Sequence, residues 1–190
     1  MTDSEFHAEW IAKIDELRYI SLKTLETFTL DPTTKNFLLN YGLPQRAAPF
    51  LSFEGDSDIS KYESINLLTN WFDFLGEEYK KYIVIGSDGS GDVITINSLD
   101  NCKIEWLDHE DYFSSRFMNT SIKHLALCLL AYKNFVQQIN IENGDGALIE
   151  GNFTDAQYKS IYNSLKLIDE RAIEEGFWKN EMANLLANKK

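Results

Sequence analysis

Between Lys81 and Leu107 the chain alternates short runs of β-branched and aromatic residues with polar turns. Tyr82-Ile83-Val84-Ile85 and Val93-Ile94-Thr95-Ile96 flank Gly86-Ser87-Asp88-Gly89-Ser90-Gly91-Asp92, a loop of Gly, Ser and Asp. Gly takes positive φ without steric cost, and Asp and Ser hydrogen-bond their own backbone in turns, so the pattern predicts strand, tight turn, strand. After a second turn at Ser98-Leu99-Asp100-Asn101, Cys102–Leu107 reads as a third strand. Three antiparallel strands hold together only if something covers their apolar face, and helical periodicity on both sides supplies the cover. Phe6, Trp10, Ile14 and Leu17 share one face of a first helix that Asp3 or Ser4 can cap. A second helix opens at Asp31-Pro32-Thr33, carries Phe37, Leu38 and Tyr41 on its apolar side, and stops at Gly42 before Pro44. Beyond the strands, a helix starts at Asn119-Thr120-Ser121 and runs to about Gln138 on a stripe of Ile122, Leu125, Ala126, Leu129 and Val136. Thr154-Asp155 cap the last helix, where Tyr158, Ile161, Leu165, Ile168 and Ala172 line one face until Gly176 bends or breaks it.

The stretch between the second helix and the hairpin is less regular. Ala48–Phe53 reads as one short extended segment whose Pro49 points to a sheet edge, and Glu54-Gly55-Asp56-Ser57-Asp58 as an acidic turn. A short strand is expected over Tyr62–Asn66, then a helical turn or two up to Leu75. The order of elements predicts a single α+β domain over residues 1–190: a central antiparallel or mixed β-sheet with flanking N-terminal and C-terminal helices.

Composition narrows the function classes. With 190 residues and 44% apolar content the chain is long enough for a core, and no window carries the 18 apolar residues a membrane helix needs. The acidic N-terminus lacks a basic region followed by an apolar run, so a cytoplasmic protein with buried free thiols at Cys102 and Cys128 is expected. Charge changes the picture most: 18 basic against 30 acidic residues leave a net −12. Such a surface repels nucleic acid and anionic membrane and attracts a basic protein.

Catalytic patterns are missing. The Gly-rich loop leads into a strand rather than a helix and lacks the Lys-Ser/Thr pair of a phosphate loop. Asp88, Asp92 and Asp145 do not fall in a calcium-loop register, and His7, His109 and His124 form no metal pair. No Gly-x-Ser-x-Gly elbow is present. Glu105, Asp108, Glu110 and Asp111 hold the carboxylates an acid/base pair would need, but acids gathered on a strand end and loop more often form a solvated or partner-binding surface.

Several short motifs in sequence carry a resemblance. Gly42-Leu43-Pro44, Phe50-Leu51-Ser52-Phe53, Tyr82–Gly86, Gly91–Ile96 and Phe117-Met118-Asn119-Thr120-Ser121 ahead of a helix resemble the SUKH superfamily, and within it the group of bacterial immunity proteins. The closing Ile168-Asp169-Glu170-Arg171-Ala172 with Trp178 is similar to that group as well. The third strand departs from it by lacking a Gly-Val pair after the preceding turn. The resemblance implies a SUKH-like fold and a cytosolic protein that neutralises a cognate toxin, in many cases a nuclease or deaminase. It makes Gly42, Pro44, Gly86, Gly91, Asn119 and Ser121 framework positions, with Asn119 and Ser121 capping the helix. The expectation is a non-enzymatic acidic binding domain with no catalytic residue, metal or cofactor. Its partner contacts would come from turn acids, Glu54, Asp56, Asp58, Asp88, Asp92, Asp108, Glu110 and Asp111, because loops fixed by a scaffold tend to carry binding. The alternatives are an intracellular interaction or regulatory scaffold of the same fold and, behind it, an enzyme acting through Glu105, Asp108 or Asp88.

Overall fold

The Gly86–Gly91 hairpin is the middle of a larger antiparallel sheet. The computed structural model describes residues 3–14, 16–56 and 64–190. In it β3 (Arg46–Ala47), β4 (Leu51–Phe53), β6 (Tyr82–Ser87), β7 (Val93–Asn97), β8 (Lys103–Asp108) and β9 (Ser114–Asn119) lie side by side in that order, each antiparallel to its neighbour. β5 (Asn66–Leu67) continues the β4 side of β6, pairing with Val84 and Ile83. A separate ribbon joins β1 (Leu17–Arg18) to β2 (Leu43–Pro44).

Because side chains alternate across a strand, each strand serves two layers. Ile83, Ile85, Ile94, Ile96 and Ile104 belong to the main core, beneath the helices. Tyr82, Val84, Val93 and Leu107 face the other way and pack with Leu68 and Phe113 under Trp71, Phe72, Leu75 and Tyr79. Cover on both sides is why these strands are apolar at nearly every position.

The helices are α1 (Asp3–Lys13), α2 (Leu22–Leu25), α3 (Pro32–Asn40), α4 (Leu68–Trp71), α5 (Ile122–Asn143), α6 (Asp155–Ile168), α7 (Glu170–Glu174) and α8 (Gly176–Asn188). Local chemistry sets several boundaries. Asp31 Oδ1 accepts from the Thr33 and Thr34 N–H groups at 2.8 and 3.0 Å, and Thr154 with Gln157 forms a capping box. Cys102 and Cys128 are buried free thiols, and burial pushes the Cys128 thiol up to about 12. No helix among the described residues is long and apolar enough to cross a membrane.

Several expectations need correction. Among the described residues the sheet has seven strands, adding β9 and splitting the edge segment beyond the three central strands, edge segment and short strand expected. Ala48–Phe53 is not one extended segment: β3 and β4 form an edge hairpin that turns at a cis Ala48–Pro49 bond and at Phe50. Ile14 ends the first helical stripe, since Leu17 already lies in β1. The strand expected from Tyr62 is found only at Asn66–Leu67, and Tyr62, Glu63 and the Asp3 and Ser4 side chains lie outside the described residues. The Ile168–Ala172 stripe is interrupted at Asp169, where α6 gives way to α7.

That interruption has a cause. Asp169 Oδ2 accepts from the Thr120 N–H at 2.8 Å and from Asn119 Nδ2 at 3.1 Å, while Oδ1 accepts from Thr120 Oγ1 at 3.0 Å. Asn119 Oδ1 in turn accepts from the buried Trp178 indole N–H at 2.9 Å. Ser121 alone caps α5, so Asn119 is a tie between β9, α7 and α8 rather than a cap.

Two glycines separate backbone strain from crowding. Gly176 and Gly91 both have positive φ, +73° and +93°. A Cβ on Gly176 would also stand 1.7 Å from the Phe117 carbonyl oxygen, whereas the nearest atom at Gly91 is His109 Cε1, 3.9 Å away. Gly91→Ala is expected to cost about 1–3 kcal/mol, from strain alone. Gly176→Ala should cost about 4 kcal/mol or more, since α8 must also move off β9. Urea unfolding of the two variants measures the difference, and equal midpoints would refute it.

Candidate partner-binding surface

Antiparallel pairing brings three connections to one end of the sheet. β4 begins where β6 ends, as Ser52 opposite Ser87 fixes, and β8 ends where β7 begins, as Leu107 opposite Val93 fixes. The β3–β4 turn, the β6–β7 turn at Asp88–Asp92 and the β8–β9 connection at His109–Phe113 are therefore neighbours. A Cβ placed on Gly89 would lie 3.4 Å from Phe50 Cβ, and one on Gly91 3.9 Å from His109 Cε1.

The acids of this end first build it. Asp88 Oδ1 accepts from the Ser90 and Asp92 N–H groups at 2.8 and 3.0 Å, and Oδ2 from the Trp106 indole N–H at 2.9 Å. Asp92 is buried; its Oδ1 accepts from the His109 N–H at 2.8 Å and lies 2.6 Å from His109 Nδ1. That side-chain bond, with added attraction from Asp92, Glu110 and Asp108, raises the His109 pKa. Asp108 Oδ1 accepts from the Glu110 and Asp111 N–H groups at 3.0 and 3.1 Å, and its Oδ2 from Arg116 at 3.2 Å. Asp111 accepts from Ser114 Oγ at 2.7 Å. Glu110 and Asp111 are exposed.

Two large side chains stand out from these turns. Phe50 and Tyr112 are 79% and 88% exposed, and both have left-handed backbone, with φ of +59° and +50°. For bulky residues that conformation is costly and persists where the surroundings impose it.

Behind the turns, on the α8 side, lies a cavity of about 550 Å³ walled by Phe50, Asp88, Trp106, Phe177, Asn180 and Glu181. Glu181 accepts from the Tyr132 hydroxyl, and burial lifts its carboxyl above the usual carboxylate range. A larger groove, about 830 Å³, runs between α5 and α6 past Leu127, Phe135 and Leu167 and holds none of the expected acids. Among the described residues no group of three or more His, Cys, Asp or Glu is placed to hold a metal ion.

Of the eight acids expected to meet a partner, Asp88, Asp92, Asp108, Glu110 and Asp111 are brought together here. Glu54 and Asp56 are elsewhere: the Glu54 N–H bonds Ile85 beside β6, and Asp56 Oδ2 accepts from the Ser21 N–H at 2.8 Å. Asp58 lies outside the described residues. Sequence reasoning missed Phe50, Tyr112 and the α8 residues Phe177, Asn180 and Glu181. The only local hint was Pro49, which marked an edge but not an outward ring.

One end of the sheet thus gathers acidic turns and two exposed aromatic rings. The family model described as SUKH-4 immunity protein matches residues 5–185, and the chain belongs to that family. No curated protein and no solved structure matches it.

The His109–Asp92 pair has a pH consequence. A histidine with a raised folded pKa adds stability that is complete below its unfolded value of 6.5 and is lost as pH rises through the folded value. NMR titration should therefore place His109 above 6.5 in the parent and return it toward 6.5 in Asp92→Asn. The stability of the parent relative to His109→Gln should fall over the same interval. A parent His109 that titrates at its ordinary value would refute the tether.

Proposed function

We propose that this chain is a non-enzymatic, cytoplasmic immunity protein of a polymorphic toxin system. Its partner would be a cognate bacterial toxin, of which a nuclease or a deaminase is one kind. The family match supports the immunity role. The observation that carries the binding face is the gathering of Asp88, Asp92, Asp108, Glu110 and Asp111 on one sheet end, with Phe50 and Tyr112 outward among them. A cleft that holds phosphates is basic, so an acidic face is steered toward it and blocks its substrate. Glu110 and Asp111 would meet Lys or Arg at the rim, and Asp88, Asp92 and Asp108 would act chiefly by holding the turns. Glu54 and Asp56 would add to the long-range field.

The test is co-expression with a candidate cognate toxin, sought among the genes next to the one for this chain, followed by binding kinetics at two salt concentrations. Glu110→Lys/Asp111→Lys should slow association by about tenfold at low salt and flatten its salt dependence, while Asp56→Lys stays near the parent. A parent chain that fails to protect would sink the immunity reading. Equal association rates for the parent and the double variant would sink the binding face.

A further inference from the structure

We infer that the cavity between the Asp88–Gly91 turn and α8 receives a guanidinium group, the arginine side chain of a protein partner. For its partner this rests on the protein-binding reading above; its chemistry rests on the cavity alone.

The walls offer what a planar cation needs. Phe50, Trp106 and Phe177 present aromatic rings, Asp88 and Glu181 carboxylates, and Asn180 and Asn184 carboxamides. No Lys, Arg or His is among the residues that line it. Asp88 already accepts three hydrogen bonds, and a carboxylate has about four lone-pair sites, so Oδ2 retains one. Glu181 meets the Tyr132 hydroxyl through one oxygen. Burial disfavours its charged form, and an incoming cation would stabilise that form. Asn180, Glu181 and Asn184 sit on one face of α8, so their polar ends reach the same side.

The structure contains an internal precedent. The Arg116 guanidinium lies 5.3 Å from the Trp106 ring centre while bonded to Asp108, the same pairing of indole and carboxylate. Arginine fits better than lysine because its guanidinium stacks on rings and bonds in a planar fork. A phosphate would meet two carboxylates, and among the described residues no three His, Cys, Asp or Glu gather to hold a metal ion there. The volume, about 550 Å³, is that of a small-ligand site.

The experiment begins with the ¹⁵N-labelled chain titrated with Nα-acetyl-arginine methylamide and, separately, its lysine counterpart. Shifts should gather at the Trp106 indole N–H and the Phe50 and Ser90 amides, with the lysine compound about threefold weaker or more. Phe50→Ala/Glu181→Gln should abolish them while leaving the rest of the spectrum unchanged. Phe50 is an exposed ring, and glutamine still accepts from Tyr132. Dispersed shifts, equal responses to the two compounds, or an unchanged response in the variant would overturn the inference. With the cognate toxin, the same variant should weaken the complex by about tenfold or more. If the arginine probe binds but the variant holds the toxin as the parent does, the assignment to a partner arginine is overturned while the immunity reading stands. If the probe binds and the parent holds no toxin, the immunity reading fails and the guanidinium site is upheld.

Discussion

Asp169 is a carboxylate taken out of water, 6% exposed, where two helices meet the end of a strand. A buried charge without hydrogen-bond donors costs several kcal/mol, on the order of the whole stability of a domain. Its donors come from Asn119 and Thr120, far away in sequence, and Asn119 then takes the Trp178 indole. The direction in which α8 leaves the sheet is thus fixed by a polar requirement as much as by apolar packing. The cavity wall inherits that direction, since Phe177 and Glu181 project from the helix that Trp178 anchors. A surface at the sheet end is positioned by a network that does not touch it.

A second polar group is buried on the other face of the sheet. Glu105 accepts from Asn97 Nδ2 at 2.7 Å and pairs with Lys103 at 3.1 Å, and its carbonyl accepts from Thr95 Oγ1 at 3.2 Å. These four strand positions are adjacent across β7 and β8, so the register and the ion pair enforce one another. A one-residue slip would put the carboxylate among the isoleucines. Glu105, one of the carboxylates considered for acid/base chemistry, thus has both side-chain oxygens engaged in holding strands together.

Legibility followed locality. The central hairpin, the Asp31 cap and the Thr154 capping box could be read because each motif contains both partners within a few residues. β9 could not: Ser114-Ser115-Arg116 is polar, and its place in the sheet comes from pairing with β8. The break at Asp169 was hidden for the opposite reason, since the apolar period of α6 runs on through Ala172 while the interruption answers to Asn119. At the candidate surface, composition pointed to acids and turns to their positions. It gave no sign that Asp88 and Asp92 turn their carboxylates to hydrogen bonds inside the protein, or that Phe50 faces solvent, because an aromatic ring is by default assigned to the core.

The turns of the sheet end are built from main-chain N–H groups and the carboxylates of Asp88, Asp92 and Asp108. Ser90, Glu110 and Asp111 contribute backbone to those bonds, and Glu110 and Tyr112 extend their side chains into solvent. The outward letters can therefore be rewritten over generations while the three anchoring aspartates stay fixed. A chain built in this way has no need to renegotiate its fold each time its surface is revised.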